Sequence, residues 1–342
     1  MEQYQEYILS FIEKILNTES PSGFCHNIMA LVEKEAQKMG YKMEFTNKGC
    51  GMITIQGKNE EVFGISAHVD TLGAMVRSIK DNGTIRLARI GGYMLNSIEG
   101  EYCKIFTRNN EVYEGTILTT KPSVHVYSDA AYDQKRSEEN MEVRIDELVT
   151  SKEDVEKLGI EVGNYIAFDP RVKITKSGYI KSRHLDDKAA IAVIFALMKY
   201  IKEYNIIPKN TIKIFLSTYE EVGHGSSYIP EDITEMIAID LGAMGDDLSC
   251  TEMDVSICVK DASGPYDYNM VNKLVSLAKE NNIRYSLDVY PRYSSDVSAA
   301  LRGGNNIRGA LIGPGVHASH SMERTHIQGI LNTVKLLVEY IK

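Results

Sequence analysis

Hydrophobic residues recur at helical spacing near the start of the chain. The first predicted helix has one apolar face and ends at the turn sequence Pro21-Ser22-Gly23. A second predicted helix ends at Gly40, because glycine readily terminates a helix. Short apolar runs then predict three strands, at residues 41–46, 52–55 and 62–67. The last run is almost entirely apolar, as expected of a strand that is buried on both faces.

Strands and helices alternate again after residue 187. Predicted helices and strands follow one another at residues 188–203, 211–217, 236–239, 254–260, 267–281, 308–312 and 325–341. This alternation is typical of a sheet whose faces are covered by helices. The sequence therefore predicts an α/β fold with a mainly parallel sheet flanked by helices.

The middle of the chain has a different pattern. Its segments are short and are broken by Gly, Asn and Pro, and one capping box at Ser151 predicts a single helix that ends at Gly159. We interpret residues 73–166 as a small β-rich inserted domain. The two halves of the main domain are then residues 1–72 and residues 167–342.

Composition excludes several classes of protein. The 342 residues carry 38 Lys and Arg against 47 Asp and Glu, a net charge of −9, whereas a nucleic-acid binder needs a basic surface. No apolar run approaches a membrane span, and the amphipathic N-terminus does not resemble a signal peptide. The five cysteines form no C-x-x-C motif, so a thiolate zinc site is not expected and a reducing cytoplasm fits.

Candidate chemistry is concentrated where apolar strands end or helices begin. Five segments place acidic residues or histidine there: Ser66-Ala67-His68-Val69-Asp70, Arg183-His184-Leu185-Asp186-Asp187-Lys188, Ser217-Thr218-Tyr219-Glu220-Glu221-Val222-Gly223, Ala238-Ile239-Asp240 and His317-Ala318-Ser319-His320-Ser321-Met322-Glu323-Arg324. The carboxyl ends of strands in an open α/β sheet form one rim, where ligands bind. Residues that are far apart in sequence are expected to converge on that rim.

These residue types match a hydrolytic site with two metal ions. Imidazole and carboxylate ligands without thiolate suit zinc, cobalt or manganese. Such a site needs terminal ligands on each ion and a carboxylate that bridges them. Asp186 suits the bridge, and the candidate terminal ligands are His68, Glu221, Asp240 and His320.

Two further carboxylates are candidates for roles beside the metal ions. Asp70 lies two residues after His68, so in an extended segment it faces the same side and is able to orient the imidazole ring. Glu220 and Glu221 are adjacent, so in extended backbone one binds metal while the other addresses the attacking water as general base. Each motif alone is more often structural, and only their joint occurrence supports this interpretation.

Five motifs together resemble metallopeptidase family forty-two. They are Ala67-His68-Val69-Asp70, Leu185-Asp186-Asp187-Lys188, Tyr219-Glu220-Glu221-Val222-Gly223, Asp240 and His320-Ser321-Met322-Glu323. That family contains the glutamyl aminopeptidases and the tetrahedral aminopeptidases, and the resemblance covers essentially the whole chain. It implies a zinc-peptidase-like catalytic domain with an inserted oligomerisation domain. It also implies two divalent metal ions per chain, with zinc expected and cobalt or manganese as alternatives.

The resemblance assigns a role to each candidate residue. His68 and Asp240 hold one ion, Glu221 and His320 hold the other, and Asp186 bridges them. Glu220 is the general base and Asp70 orients His68. The final motif departs from the commoner family pattern, which makes His317 a rival to His320, and Lys188 stands where many relatives have Arg.

The expected activity is cytoplasmic hydrolysis of the N-terminal peptide bond of short peptides. Asp296 is a candidate for binding the substrate α-ammonium, although it also reads as the start of a helix. The alternatives are hydrolysis of another amide such as an acyl-amino acid, a cellulase-type glycoside hydrolase, and a non-catalytic assembly protein. The resemblance further implies a homo-oligomer between dimer and dodecamer, with neither nucleic acid nor membrane as partner.

Overall fold

A computed structural model describes the whole chain, Met1–Lys342, which divides into two compact units. Unit 1 comprises Met1–Asp70 and Arg171–Lys342, and unit 2 comprises Thr71–Pro170. The domain boundaries predicted from the sequence, after residues 72 and 166, lie two and four residues from these bounds. Each unit has its own hydrophobic core.

The structure contains nineteen strands and nine α-helices. The strands are β1 (Met43–Phe45), β2 (Gly51–Ile55), β3 (Asn59–His68), β4 (Gly73–Ile79), β5 (Ile85–Ile90), β6 (Tyr102–Phe106), β7 (Val112–Thr119), β8 (Met141–Ile145), β9 (Tyr165–Phe168), β10 (Lys173–Ile174), β11 (Tyr179–Ser182), β12 (Asn210–Ser217), β13 (Ile233–Ile239), β14 (Gly242–Ala243), β15 (Val255–Asp261), β16 (Gly264–Pro265), β17 (Tyr285–Val289), β18 (Arg308–Val316) and β19 (Glu323–His326). The helices are α1 (Gln5–Leu16), α2 (His26–Lys38), α3 (Val124–Tyr127), α4 (Asp129–Asp133), α5 (Lys152–Lys157), α6 (Leu185–Glu203), α7 (Tyr268–Glu280), α8 (Asp296–Arg302) and α9 (Ile327–Ile341).

Unit 1 is an α/β structure built on a ten-stranded sheet. Its central strands, in the order β12, β3, β13 and β18, run parallel to one another. The neighbouring strands β2 and β15 run antiparallel to this group, so the sheet as a whole is mixed. The α/β class is therefore confirmed, while the parallel arrangement expected from the sequence describes the centre of the sheet.

Helix α6 occupies the middle of the unit 1 core. It packs against α1 and α9 and against β3 and β18. Its side chains from Leu185 to Met198 are all buried, which explains why this segment reads as almost continuously apolar. Burial of this kind, at roughly 25 cal/mol per Å² of apolar surface, is the main force that fixes the start of α6 at the edge of the sheet.

Unit 2 is a closed six-stranded barrel with the strand order β4, β5, β8, β7, β6, β9. The β-rich character matches the sequence pattern, and the Ser151 side chain caps α5 by accepting a hydrogen bond from the Asp154 N–H. The expectation of a single helix is wrong, because α3 and α4 also lie in this unit. These helices have four and five residues, too few to show a helical period in the sequence.

None of the helices combines the length and the apolar character that crossing a membrane requires.

Candidate metal centre

Several of the predicted site residues lie where the parallel strands end, at one edge of the sheet. His68 is the last residue of β3, and Asp240 directly follows β13. Strand β12 lies beside β3, and Ser217 at its end is paired with His68. The chain then enters the 3-10 turn Glu220–Val222. Because the carboxyl ends of parallel strands share an edge, residues separated by more than 150 positions meet there.

The Asp186 carboxylate lies between two imidazole rings. Its Oδ1 atom is 3.0 Å from Nε2 of His68, and its Oδ2 atom is 3.3 Å from Nε2 of His320. Asp186 and His68 are buried, while about a third of the His320 side chain is exposed. Each carboxylate oxygen therefore faces a different histidine.

The side chains of Glu220 and Glu221 point to different histidines. Glu220 Oε2 lies 3.8 Å from His68 Nε2, and Glu221 Oε2 lies 3.5 Å from His320 Nε2. The sequence analysis expected extended backbone here, but the pair lies in a 3-10 turn. The turn separates the two carboxylates, since successive residues of a tight helix project in different directions.

Asp70 contacts the backbone of the glutamate pair. Its Oδ1 accepts a hydrogen bond from the Glu220 N–H at 3.1 Å, and its Oδ2 accepts one from the Glu221 N–H at 3.3 Å. The His68 Nδ1 atom lies 2.9 Å from the backbone carbonyl of Asp70 and 3.5 Å from its Oδ1. The Asp70 oxygen nearest to the ring is thus the backbone carbonyl. The carboxylate makes its hydrogen bonds mainly with the backbone of the turn that carries Glu220 and Glu221.

Two groups of side chains have ligand atoms within 4.8 Å of one another. One group is His68, Asp186 and Glu221, and the other is His68, Asp187 and Asp240. Asp187 was not predicted as a ligand from the sequence, although the Asp-Asp pair at the start of α6 was the available signal. Asp187 Oδ2 also accepts a hydrogen bond from the His68 N–H at 3.2 Å.

Glu323 is a second buried carboxylate that the sequence analysis left without a role. One of its oxygens accepts a hydrogen bond from the Asp186 N–H at 3.0 Å, and the other accepts from the His320 N–H at 3.1 Å. It therefore joins the segments that carry both residues. His317, the rival to His320, is exposed and pairs with Arg324 through backbone hydrogen bonds.

Burial, together with the charges of neighbouring carboxylates, raises the pKa values of the carboxyl groups in this centre. Burial, followed by the charge of Asp186, raises the pKa of Glu221 to about 8 and that of Asp240 to about 7. Burial is also the largest cause of raised pKa values, well above the usual range, at Glu220, Asp187 and Glu323. The centre therefore holds more negative charge than its own histidines neutralise.

His68 and Asp186 differ from these carboxyl groups, because their pKa shifts favour the charged form of each side chain. Burial lowers the pKa of His68, but its hydrogen bonds with Asp186 and Asp70 outweigh burial and hold that pKa well above its usual value. Burial raises the pKa of Asp186, but the hydrogen bonds from His320 and His68 outweigh it and leave the pKa below its usual value. The imidazoles thus act as counter-charges to Asp186.

This donor set fits divalent cations. Imidazole nitrogens and carboxylate oxygens are the ligands that zinc, cobalt and manganese accept, and no thiolate is present among them. Glu221 Oε1 is buried and has no hydrogen-bond partner, which is costly for a carboxylate oxygen unless a cation or a donor meets it. A divalent cation satisfies that oxygen and neutralises the excess negative charge.

Asp296, the candidate for ammonium binding, is the first residue of α8 and is buried. Its Oδ2 accepts a hydrogen bond from the Ser217 hydroxyl at 2.8 Å, at the end of β12. Burial raises its pKa, and the charge of Asp296 helps to raise the pKa of Glu220. Contact with a substrate ammonium stays a prediction for this residue.

The fold and the site define a class of protein. A helix-covered mixed sheet presents imidazoles and carboxylates at the carboxyl edge of its parallel strands, and these side chains have the spacing of metal ligands. The chain matches the sequence model of the M42 glutamyl aminopeptidases over residues 49–336, and it belongs to that metal-dependent family. It is therefore a peptidase, a hydrolase of peptide bonds.

Known proteins resemble the chain over almost its full length. "Putative aminopeptidase YhfE" of Bacillus subtilis (strain 168) is 45% identical over 336 residues, covering 98% of this chain and 97% of the relative. Aminopeptidase APDkam598 of the archaeon Desulfurococcus kamchatkensis has a similar structure, with a TM-score of 0.89 and 22% identity over 99% of this chain and 95% of that chain. The TET1 peptidase of Pyrococcus horikoshii, described as able to assemble into a tetrahedron or a large octahedral shell, has a TM-score of 0.85 and 20% identity over 98% of this chain and 99% of that chain.

Proposed function

We propose that this chain is an aminopeptidase that binds two divalent metal ions and releases the N-terminal residue of short peptides. The observation that carries the proposal is the position of Asp186, whose two oxygens face His68 at 3.0 Å and His320 at 3.3 Å. A carboxylate that bridges two metal ions needs one oxygen directed to each side. Asp240 lies with His68, and Glu221 lies near His320, which supplies a further ligand for each ion.

Glu220 is the proposed general base. Divalent ions in such a centre lower the pKa of water and polarise the scissile carbonyl. Glu220 is largely buried and its Oε2 lies 3.8 Å from His68 Nε2, so its carboxylate borders the proposed metal pair without being assigned to it as a ligand. Its carboxylate takes the proton from the attacking water and returns it to the leaving amine.

The test is release of dye from a panel of aminoacyl-anilide and aminoacyl-coumarin conjugates. Protein treated with chelator and then given zinc, cobalt or manganese should regain turnover, and elemental analysis at saturation should approach two ions per chain. A saturating ratio of one with full activity would show that Asp186 is not a bridge. N-terminally blocked conjugates are the control, because an aminopeptidase requires a free α-ammonium.

The same panel separates the alternative functions. Cleavage of acyl-amino acids without cleavage of free aminoacyl conjugates would replace the aminopeptidase by another amide hydrolase. Release of reducing ends from cello-oligosaccharides would favour a glycoside hydrolase, which needs two carboxylates facing a sugar and has no use for His68 and His320. A chain that is inactive on every substrate and with every metal would leave only an assembly role.

We also propose a homo-oligomer located in the cytoplasm. The Pyrococcus horikoshii relative assembles into shells, and unit 2 of this chain exposes large apolar side chains that a second copy of the chain is suited to cover. Three of them lie close together in sequence: Val126, Tyr127 and Tyr132. All five cysteines are free and buried, which supports a reducing compartment.

A further inference from the structure

The segment between α1 and α2 contacts three parts of the chain that carry residues of the candidate metal centre. We name residues 18–25 the N-terminal strap. The sequence analysis gave this segment only the role of ending a helix, and it precedes residues 49–336, which match the family. Its contacts are Lys188 Nζ to the Thr18 carbonyl at 2.6 Å, Ser20 Oγ to the Val69 carbonyl at 2.8 Å, Ser22 Oγ to Asp70 Oδ2 at 2.5 Å, and Cys25 Sγ to the Thr218 carbonyl at 3.8 Å.

One of these contacts leads directly to the glutamate pair. The Ser22 hydroxyl donates to Asp70 Oδ2, and the same carboxylate accepts from the Glu220 and Glu221 N–H groups. Asp70 is fully buried and Ser22 is nearly so. A chain of hydrogen bonds therefore runs from the strap, through one carboxylate, to the backbone of the proposed general base.

The Ser22 hydroxyl limits how the Asp70 carboxylate is able to turn. Asp70 Oδ1 accepts from the Glu220 N–H and lies 3.5 Å from His68 Nδ1, whereas Oδ2 is shared by Ser22 and the Glu221 N–H. The contact from Ser22 comes from a hydroxyl, a donor that ionised carboxylates accept strongly. Removing it leaves the two backbone N–H groups and the more distant His68 ring to hold the carboxylate plane.

We propose that Ser22 is a positioning residue for the hydrolysis, acting through Asp70 to hold the turn that carries Glu220. The inference rests on the proposed function, because the residue being positioned is the general base of that reaction. Small displacements of a catalytic group lower the rate of the chemical step, while substrate binding need not change. Ser22 therefore contributes to kcat without contacting substrate or metal.

Three substitutions at this position test the proposal. Ser22→Ala removes the hydroxyl and needs no additional space, Ser22→Thr keeps the hydroxyl, and Ser22→Val has the shape of Thr without it. We expect kcat to fall about tenfold or more in the Ala and Val variants, with KM and bound metal unchanged. The Thr variant should recover most of the lost kcat.

Thr211→Val is the matched control for loss of a buried hydroxyl. Thr211 lies near the opposite end of β12 from the metal centre, and its Oγ1 donates to the Asn59 carbonyl. This variant should lower the unfolding temperature to an extent similar to Ser22→Ala and leave kcat unchanged. The comparison separates a loss of stability from a loss of position.

Several outcomes would overturn the proposal. Wild-type kcat in both Ser22→Ala and Ser22→Val would exclude a positioning role, and so would a Thr variant that is as slow as the Val variant. Loss of metal at saturating concentration would show that the strap supports the ligands and not the base. A wild-type protein with no turnover on any peptide would instead reject the proposed function itself.

Discussion

Glu220 and Glu221 are neighbours in sequence, yet the structure places them in different surroundings. Glu221 lies near His320 and Asp186, and Glu220 lies on the side of His68. Their backbone N–H groups are both held by the Asp70 carboxylate, which fixes the turn between them. The separate tasks proposed for these two chemically identical side chains rest on this difference in surroundings.

Glu220→Gln should nearly abolish turnover while metal content stays at the wild-type value. Glutamine keeps the size of the side chain but does not accept a proton, and loss of a general base typically costs about 10²–10⁴-fold in rate. Steady-state kinetics and elemental analysis measure the two effects separately. Glu221→Gln is the matched control and should lose metal, and a reversal of these two results would mean that the roles are exchanged.

Metal should bind more tightly as the pH rises from about 6 to about 8. Burial raises the pKa of Glu221 to about 8 and that of Asp240 to about 7, so protons occupy these ligands at the lower pH and the cation must displace them. Competition with a chelating dye at several pH values measures the affinity, and calorimetry in different buffers counts the protons released. An affinity that is constant over this range would contradict the prediction.

At the scale of elements, the sequence predicted the helices and strands that have a regular local pattern of apolar residues. Apolar periodicity located α1, α6 and α9, and apolar runs located β3, β12 and β13, since burial on one or two faces leaves a direct trace in the sequence. His68, Glu221 and Asp240 lie at or just after the ends of those strands, so locating the strands also located this part of the candidate centre.

Features that depend on distant partners were not predictable in the same way. Closure of the unit 2 barrel depends on pairing between β4 and β9, which no local period records. The role of Glu323 depends on the Asp186 N–H, 137 residues away in sequence. Asp187 was named in a motif, but its approach to Asp240 depends on how α6 meets β13.

Glu323→Gln should weaken the connection between the start of α6 and the segment carrying His320. Both Glu323 oxygens accept backbone N–H groups, and the amide of glutamine places a donor against one of them. An unsatisfied buried donor costs about 1–3 kcal/mol, which denaturant unfolding of the metal-free protein will detect.

The same substitution should also weaken metal binding at His320, with partial recovery at excess metal. Glu280→Gln is the control for loss of an acidic charge, because Glu280 is exposed at the end of α7 and should change stability by less than about 0.5 kcal/mol. Unchanged unfolding and unchanged metal affinity in the Glu323 variant would remove the connecting role.

At the scale of the whole molecule, light scattering should show an assembly larger than the 38.3 kDa monomer at micromolar concentration. Val126 and Tyr132 are 71% and 69% exposed and lie on the contacting helices α3 and α4, and apolar side chains exposed together commonly mark an interface. Replacing both by Asp should shift the protein to smaller species, because a buried charge at a subunit contact is unfavourable.

Tyr268→Asp is the control for this experiment. Tyr268 is 77% exposed and lies in unit 1, so its replacement should leave the assembly intact. Dissociation caused by Tyr268→Asp, but not by the pair in unit 2, would transfer the interface to the other unit. A monomeric wild-type protein would contradict the proposed oligomer altogether.

The closed barrel of unit 2 gives each of its six strands a neighbour on both sides, although β5 and β8 are paired only at Ile85 and Val143. The barrel therefore offers a neighbouring subunit little strand edge to extend by backbone hydrogen bonding, the sequence-independent route of association. Recognition of another subunit by the barrel therefore depends on side-chain contacts, and single substitutions are able to change these contacts. If unit 2 forms the proposed subunit contact, surface substitutions there should change the assembly without touching the candidate metal centre, whose residues all lie in unit 1.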